Sequence, residues 1–259
     1  MTDKQRIIGV IPAHLASVRF PRKILHDFAG LPMIEHVRRR AKLVQGLDDV
    51  IVATCDDEIE AAITAFGGSV VRTGNHHRNG TSRASEAVIG MDCSHVVLLQ
   101  GDEPLLLPRH IEALIVEMRA RPEADAWNAT GQIQSDEELD RHSFVKCSIG
   151  ANGQILYCFR RSPSTASTEV QKSYIRKILG LFGFTRGSLL AVSSAQPSVV
   201  EQRESIEQMR IIEMGGLLLS VPVDISLPSV NEPHEAAIVE ERLITDPEQK
   251  ALLAEIGVR

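Results

Sequence analysis

Cysteine is sparse in this sequence, and long apolar runs are missing from it. The four cysteines, Cys55, Cys93, Cys147 and Cys158, stand far apart. No CxxC pair occurs, and none is grouped with histidine at metal-ligand spacing. That argues against a zinc or dithiol redox centre and leaves reduced, buried thiols as the expectation, because a free cysteine packs as a small hydrophobe. No apolar stretch approaches the roughly 18 residues of a membrane span, and the opening Met-Thr-Asp-Lys-Gln-Arg has no apolar leader region. A soluble, cytoplasmic protein with no membrane partner is expected. A Gly-x-Gly-x-x-Gly fingerprint after the first apolar run is absent too, which disfavours a dinucleotide-dependent oxidoreductase. There is no basic field either: 28 Lys+Arg against 34 Asp+Glu give a formal charge of −6, so no nucleic-acid partner is expected. Internal repeats, coiled-coil heptads and long linkers are missing as well.

What is present is the composition of an ordinary globular protein, 43% hydrophobic and 24% charged over 259 residues, enough for one large α/β domain with an insertion. Residues 7–11, Ile-Ile-Gly-Val-Ile, read as a strand buried on both faces, and Pro12 breaks it into a loop carrying Ser17, Arg19, Arg22 and Lys23. In an open α/β sheet, ligands bind beyond the carboxyl ends of strands, and such a loop offers cations and a hydroxyl to a polyphosphate there. Apolar residues at helical spacing predict a helix over 31–44, with Gly46 ending it. Strands follow at 50–54, 69–73 and 95–99, with a helix from Asp56 to Gly67 and another over 84–89. This alternation implies βαβ units and a parallel sheet.

Two further loops stand out. Residues 75–83, Asn-His-His-Arg-Asn-Gly-Thr-Ser-Arg, lead into a helix whose backbone amides, with Thr81 and Arg83, can serve a phosphate or a base edge; a plain capping loop would look much the same. Gln100-Gly-Asp-Glu-Pro104 puts acids at a strand's end, where Mg²⁺ could be held against a triphosphate, or where they could cap the helix starting near Arg109. From Ala124 the texture turns strand-rich, with strands over 126–133, 144–149, 154–160, 178–185 and 217–223 and a hairpin turn at 151–153. Helices are expected over 188–195 and 205–214, a mobile polar loop over 161–171, and two helical pieces over 234–257 broken at Asp246-Pro247.

The motifs carry a resemblance. Pro12-Ala-His-Leu-Ala-Ser-Val-Arg-Phe-Pro-Arg-Lys23 is similar to the P-A-R-x-x-S-x-R-x-P-x-K signature of nucleotide-activated sugar-acid synthetases. His77-Arg-Asn-Gly-Thr-Ser-Arg83 resembles their H-x-[S/N]-G-T-x-R loop, and Gln100-Gly-Asp-Glu-Pro104 matches their metal motif. Val145-Lys146, Phe159-Arg-Arg161, Gly180-Leu-Phe-Gly-Phe184 and Glu207-Gln-Met-Arg210 extend the likeness over nearly the whole chain, and it is nearest to the 3-deoxy-manno-octulosonate (KDO) cytidylyltransferases. The resemblance implies a three-layer, nucleotide-diphospho-sugar transferase-like (Rossmann-like) α/β fold with a mostly parallel sheet and a β-rich insertion. It implies one domain over 1–259: a nucleotide part to about 123, an acceptor-binding and dimerising part to about 230, and C-terminal helices.

It further implies transfer of CMP from CTP to an acidic small-molecule acceptor with release of pyrophosphate, by in-line displacement without a covalent nucleophile. Arg19 and Lys23 would meet the β- and γ-phosphates, with Ser17 in support, and Asp102 and Asn231 would hold Mg²⁺. Pro12, Ala13, His14, Asn79, Gly80, Thr81, Arg83, Gln100 and Gly101 would complete the CTP site. Lys146, Arg160, Glu207 and Gln208 would face the acceptor, and a homodimer would form. Four positions depart from the family. His14, mostly neutral near pH 7, stands where the family has arginine. Val230-Asn-Glu-Pro233 stands for V-D-T-P, so the second metal carboxylate is an amide unless Glu232 or Asp224 replaces it. Ile178 stands where the family has histidine, and Ser82 where it has an acid. The CTP side is kept and the acceptor side is altered, which leaves KDO, an amino-KDO and a small phosphonate as acceptors, and a non-catalytic CTP-binding relative as the alternative.

Overall fold

The seven residues of β1 (Ile7–Ala13) are all buried, so this strand must be covered on both faces and hydrogen-bonded on both edges. The elements that follow it in the computed structural model supply that cover: β2 (Asp27–Phe28), β3 (Leu31–Pro32), α1 (Met33–Lys42), β4 (Asp49–Thr54), α2 (Asp57–Ala65), β5 (Ser69–Arg72), α3 (Gly80–Ala87) and β6 (His95–Leu99). Strands β4 and β6 flank β1 in parallel and β5 adds to β4, while β2 and β3 form a separate short ladder. Helices α1, α2 and α3 pack on these strands. The expected parallel α/β architecture is therefore what the N-terminal sequence builds.

The structure describes residues 5–258, and the opening Met-Thr-Asp-Lys of the stretch read as having no leader lies outside them. Two compact units are formed, one by the chain up to Glu112 together with everything from Leu227 onward, the other by Ala113–Ser226. Helix α4 (Pro108–Ala120) spans the sequence boundary between them.

The second unit contains β7 (Ala126–Gln132), α5 (Asp136–Asp140), β8 (Lys146–Ile149), β9 (Ile155–Phe159), α6 (Thr168–Tyr174), β10 (Ile175–Thr185), α7 (Arg186–Ser194), α8 (Val199–Glu204), α9 (Gln208–Glu213) and β11 (Leu218–Pro222). Its strands run β11-β7-β10-β8-β9, parallel between β11 and β7 and antiparallel elsewhere. This is the β-rich segment. The turn expected at 151–153 closes β8 onto β9, with Gly153 at φ 81° and a 2.8 Å bond from Gly150 N–H to the Gln154 carbonyl. A bulge between Ile178 and Phe182 shifts β10 against β7.

The chain then returns to the first unit as α10 (Pro233–Thr245) and α11 (Pro247–Glu255), broken at Asp246 as expected. Gln249 of α11 donates to the Leu105 carbonyl at 3.1 Å, and Arg39 of α1 donates to the Ile256 carbonyl at 2.7 Å. Among the described residues no helix is long and apolar enough to cross a membrane.

Three local expectations differ from the structure. Residues 168–174, placed in a polar loop or at its margin, form α6: Ser167 caps it and Tyr174, just past the segment read as loop, packs on Ile133, Leu139, Phe159 and Ile175. The helix expected over 205–214 is α9 alone, because Ser205 sits in the left-handed region at φ 54° and separates it from α8. Helix α3 starts four residues earlier than expected, because Asn79 caps it and Gly80 takes the first helical position.

Candidate active site

The loop after β1 is folded back on itself. Arg22 N–H reaches the Leu15 carbonyl at 3.4 Å, and Lys23 opens a short 3-10 turn, Lys23–Leu25. Arg22 takes φ 61° to allow this and pairs through its guanidinium with Glu58. Asp56, at the end of β4, accepts the Leu15 N–H at 2.9 Å and so anchors the loop from the neighbouring strand. The anchoring role of Asp56 was not apparent from the sequence, where it read only as a helix-starting acid.

Beyond the carboxyl end of β1 the three motif loops line one cleft. Pro12, Ala13, His14, Ser17 and Lys23 come from the first, Asn79, Gly80 and Arg83 from the second, and Gln100, Gly101 and Asp102 from the third. Ile24, His77 and Arg78 complete the lining. Arg19 stands apart on the exposed part of its loop, 3.6 Å from Glu232, and Thr81 lies half-buried in the first turn of α3.

Lys23 is the centre of the cleft's electrostatics. Its Nζ donates to Asp102 Oδ2 at 2.6 Å and to the Val230 carbonyl at 3.0 Å, with 14% of the Lys23 side chain exposed. Segment 230–231 is held here by the bond from Val230 N–H to the Asp102 carbonyl, 2.9 Å. Asn231 donates its side-chain amide to Ser229 Oγ at 3.0 Å and its backbone N–H to Glu235. Of the two possible substitutes for the second carboxylate, Glu232 is engaged in capping α10 and Asp224 belongs to the other unit.

The second wall is a helix start. Asn79 Oδ1 accepts from Ser82 N–H at 2.9 Å and so caps α3, whose first turn is the positive end of its dipole. Gly80 lies so close to β1 that a Cβ there would come within 2.9 Å of Pro12 Cγ. Arg83, 3% exposed, donates to Thr73 Oγ1 at 2.7 Å and to the Gly74 carbonyl at 3.1 Å. Desolvation in the cleft, and then the charge of Arg83, lower the His14 pKa from its ordinary value against a weaker pull from Asp56. His14 is thus neutral at pH 7, as its residue type alone had implied.

A cleft with a helix start, a lysine, a carboxylate and a buried arginine is built to take a polyphosphate. The comparisons give that chemistry a family. A model of the family described as cytidylyltransferase matches residues 8–223. The chain belongs to the cytidylyltransferase family. This cytidylyltransferase is 36% identical over 228 residues to the 3-deoxy-manno-octulosonate cytidylyltransferase of Escherichia coli, covering 88% of this chain and 92% of that one. It is 35% identical over 241 residues to the 8-amino-3,8-dideoxy-manno-octulosonate cytidylyltransferase of Shewanella pealeana, covering 92% and 98%. A solved structure of CMP:2-keto-3-deoxy-manno-octonic acid synthetase complexed with CTP superposes with a TM-score of 0.87 at 34% identity, covering 92% and 98%.

The four residues expected on the acceptor side of this cytidylyltransferase lie in the second unit. Lys146 is fully buried, its Nζ donating to the carbonyls of Arg141 at 2.8 Å and Glu138 at 3.3 Å, and burial lowers its pKa to about 8. Gln208, 6% exposed, donates to Asn128 Oδ1 at 3.0 Å. Arg160 binds the carbonyls of Glu204, His142 and Ser205 and remains half-buried, and Glu207, also half-buried, immediately precedes α9.

Proposed function

We propose that the protein transfers CMP from CTP to a 3-deoxy-octulosonate-type sugar acid. The observation that carries this reading is the convergence of the three motif loops on one cleft around the Lys23–Asp102 pair. An acceptor hydroxyl oxygen attacks the α-phosphorus of CTP and gives up its proton to water, while the bond from the α-phosphorus to the bridging oxygen breaks and pyrophosphate leaves with the developing charge. Lys23 can turn from Asp102 to the β- and γ-phosphates. Arg19, exposed beside the cleft's loop, adds a second cation there, and Ser17 a hydroxyl. The N-terminal amides of α3 and the walls formed by Ala13, Asn79, Thr81, Gln100 and Arg83 orient the nucleotide. These groups position two anions and disperse leaving-group charge, and none forms a covalent bond to substrate.

Mg²⁺ fits the residues present. Asp102 supplies a carboxylate and Asn231 an amide oxygen, and Mg²⁺ is commonly held by one or two carboxylates plus substrate phosphates. Bound there, it would supply charge neutralisation at the phosphate oxygens. On the acceptor side, Arg160 and Glu207 are accessible enough to touch the substrate. Lys146 and Gln208, enclosed, would act by holding the backbone and β7 around it. We place the protein in the cytoplasm as a homodimer, for which β9, paired only with β8 among the described strands, offers an edge with Leu156 exposed. Sedimentation of the intact chain tests that, with a monomer as the outcome against it.

The deciding experiment measures pyrophosphate release with CTP and Mg²⁺ against KDO, its 8-amino analogue and phosphonoformate. Release with a sugar acid is the expected result. Release with the phosphonate alone would move the acceptor class, and CTP binding without release from any acceptor would favour a non-catalytic relative, the reading that the uncharged Asn231 supports.

A further inference from the structure

A cluster of ligating groups joins the loop after β5 to α3 at the border of the nucleotide cleft, whose wall His77 shares. His76, His77 and Glu86 bring two imidazole nitrogens and a carboxylate oxygen to within 4.8 Å of one another. His77 Nε2 is in direct hydrogen-bonding contact with Glu86 Oε2, and His76 Nε2 lies 3.9 Å from that same oxygen. The two rings overlap at a centroid separation of 4.3 Å, tilted by 35°.

Two tautomers of His77 satisfy its contacts, and one of them leaves room for a cation. Ser82 Oγ lies 3.1 Å from both the Asn79 carbonyl and His77 Nδ1; when its one proton goes to the carbonyl, the ring N–H is on Nδ1, and when it goes to Nδ1, the ring N–H is on Nε2 and donates to Glu86. In the first arrangement a neutral His77 turns the lone pair of Nε2 toward Glu86. Two acceptors in contact require a cation between them, either a second proton on the ring or a metal ion. The position of His76 separates these. An ion pair between His77 and Glu86 needs no third group, yet the His76 ring is seated on His77 and over Gly74, where a Cβ would approach His76 Nδ1 to 2.4 Å. Glu86 is oriented as well, its Oε1 accepting the Gly74 N–H at 3.0 Å. A ligand atom aimed inward while the ligand's other atom is tied to its surroundings is the outer-shell pattern of metal sites.

We propose that His76, His77 and Glu86 bind one divalent transition-metal ion of the Zn²⁺ class, which pins residues 74–86 beside the nucleotide cleft. Two imidazoles and one carboxylate with a fourth position open suit Zn²⁺ or Co²⁺, whereas Mg²⁺, a hard ion, prefers oxygen throughout. The site is separate from Asp102 and does not depend on the proposed transfer reaction.

Metal-free protein titrated with Co²⁺ in excess Mg²⁺, followed by visible d–d absorption, tests the proposal. One Co²⁺ per chain is expected, displaced by Zn²⁺. His76→Asn, at a side chain that is 74% exposed and so without consequence for folding, should weaken binding by about 10–100-fold. Gly74→Ala, which keeps all three ligands but displaces the His76 ring, should weaken it in the same direction, and Asp102→Asn should leave it in place. Absence of the absorption, or affinity unchanged in His76→Asn, would overturn the proposal and reduce the cluster to an ion pair. Loss of binding in Asp102→Asn would assign the ion to the nucleotide cleft instead and equally overturn it.

Discussion

Lys23 holds Asp102 at 2.6 Å and the Val230 carbonyl at 3.0 Å, so one ammonium group ties the basic loop, the acidic loop and the returning C-terminal segment together. Its removal leaves Asp102, whose side chain is 23% exposed, able to take water instead, and the fold should survive. Lys23→Ala should lower kcat by roughly 10²–10³-fold, the worth of one preorganised charge contact to a transition state, with an unchanged melting curve. An unaltered kcat would remove Lys23 from the phosphate site. His14 presents the opposite case, a neutral ring where a fixed cation would serve the nucleotide. His14→Arg should lower the KM for CTP by about two- to five-fold, which is the scale of a solvent-screened ion pair. Initial-rate kinetics over CTP concentration read this directly, and a raised KM would show that the ring's shape, not its charge, is what the cleft uses.

At the scale of elements, α3 joins the fold to the site, since its first turn is both a packing contact with β1 and a cleft wall. Asn79→Ala removes the cap from Ser82 N–H and should cost about 1 kcal/mol of stability, together with a raised KM for CTP as the helix start frays. Asn79→Ser, which can still cap, should recover most of both losses in urea unfolding and kinetics; no recovery would mean that Asn79 serves the nucleotide directly. Much at this scale was legible in the sequence. Parallel strands buried on both faces read as unbroken apolar runs, and Gly46, Gly67 and Asp246-Pro247 mark helix limits by simple stereochemistry. What was missed depended on partners distant in sequence. Tyr174 anchors α6 by packing on Ile133 and Phe159, and Asp56 serves the loop of another strand 41 positions away. Helix α8 is different, because its Ser198–Glu201 capping box is a local signal that a stricter reading would have taken. Each motif is contiguous, so the sequence showed which loops would line the cleft, though not that Arg19 would stand apart from it. The state of Lys146 and Gln208, enclosed in the second unit, could not be read from residue type, since the same side chains are ordinarily solvated.

At the scale of the whole molecule, pH separates bulk charge from local burial. Net charge falls from −6 toward zero near the sequence pI of about 5.9, so self-repulsion is least there and bulk charge alone predicts no loss of stability on mild acidification. His36 predicts a loss. It is fully buried in α1, its Nε2 bonds the Phe28 carbonyl at 2.7 Å, and its Nδ1 has no hydrogen-bond partner. Burial, against the pull of the Phe28 carbonyl and with the charge of Arg40 adding to it, lowers its pKa from 6.5 to about 4. The unfolded chain takes up this proton near pH 6.5 and the folded chain only near 4. The stability that depends on neutral His36 is therefore fully present above about pH 6.5 and is lost as pH falls toward 4, by about 3 kcal/mol in all at about 1.4 kcal/mol per pH unit. His36→Leu removes the titration while keeping an apolar core. The stability of wild type should fall more steeply than that of the variant between pH 6.5 and 4 in urea unfolding, whatever their offset at pH 7. Parallel profiles would show that His36 does not set the acid sensitivity; the paired carboxylates lose their contribution further down, between their ordinary pKa values and the depressed ones they have in the folded chain.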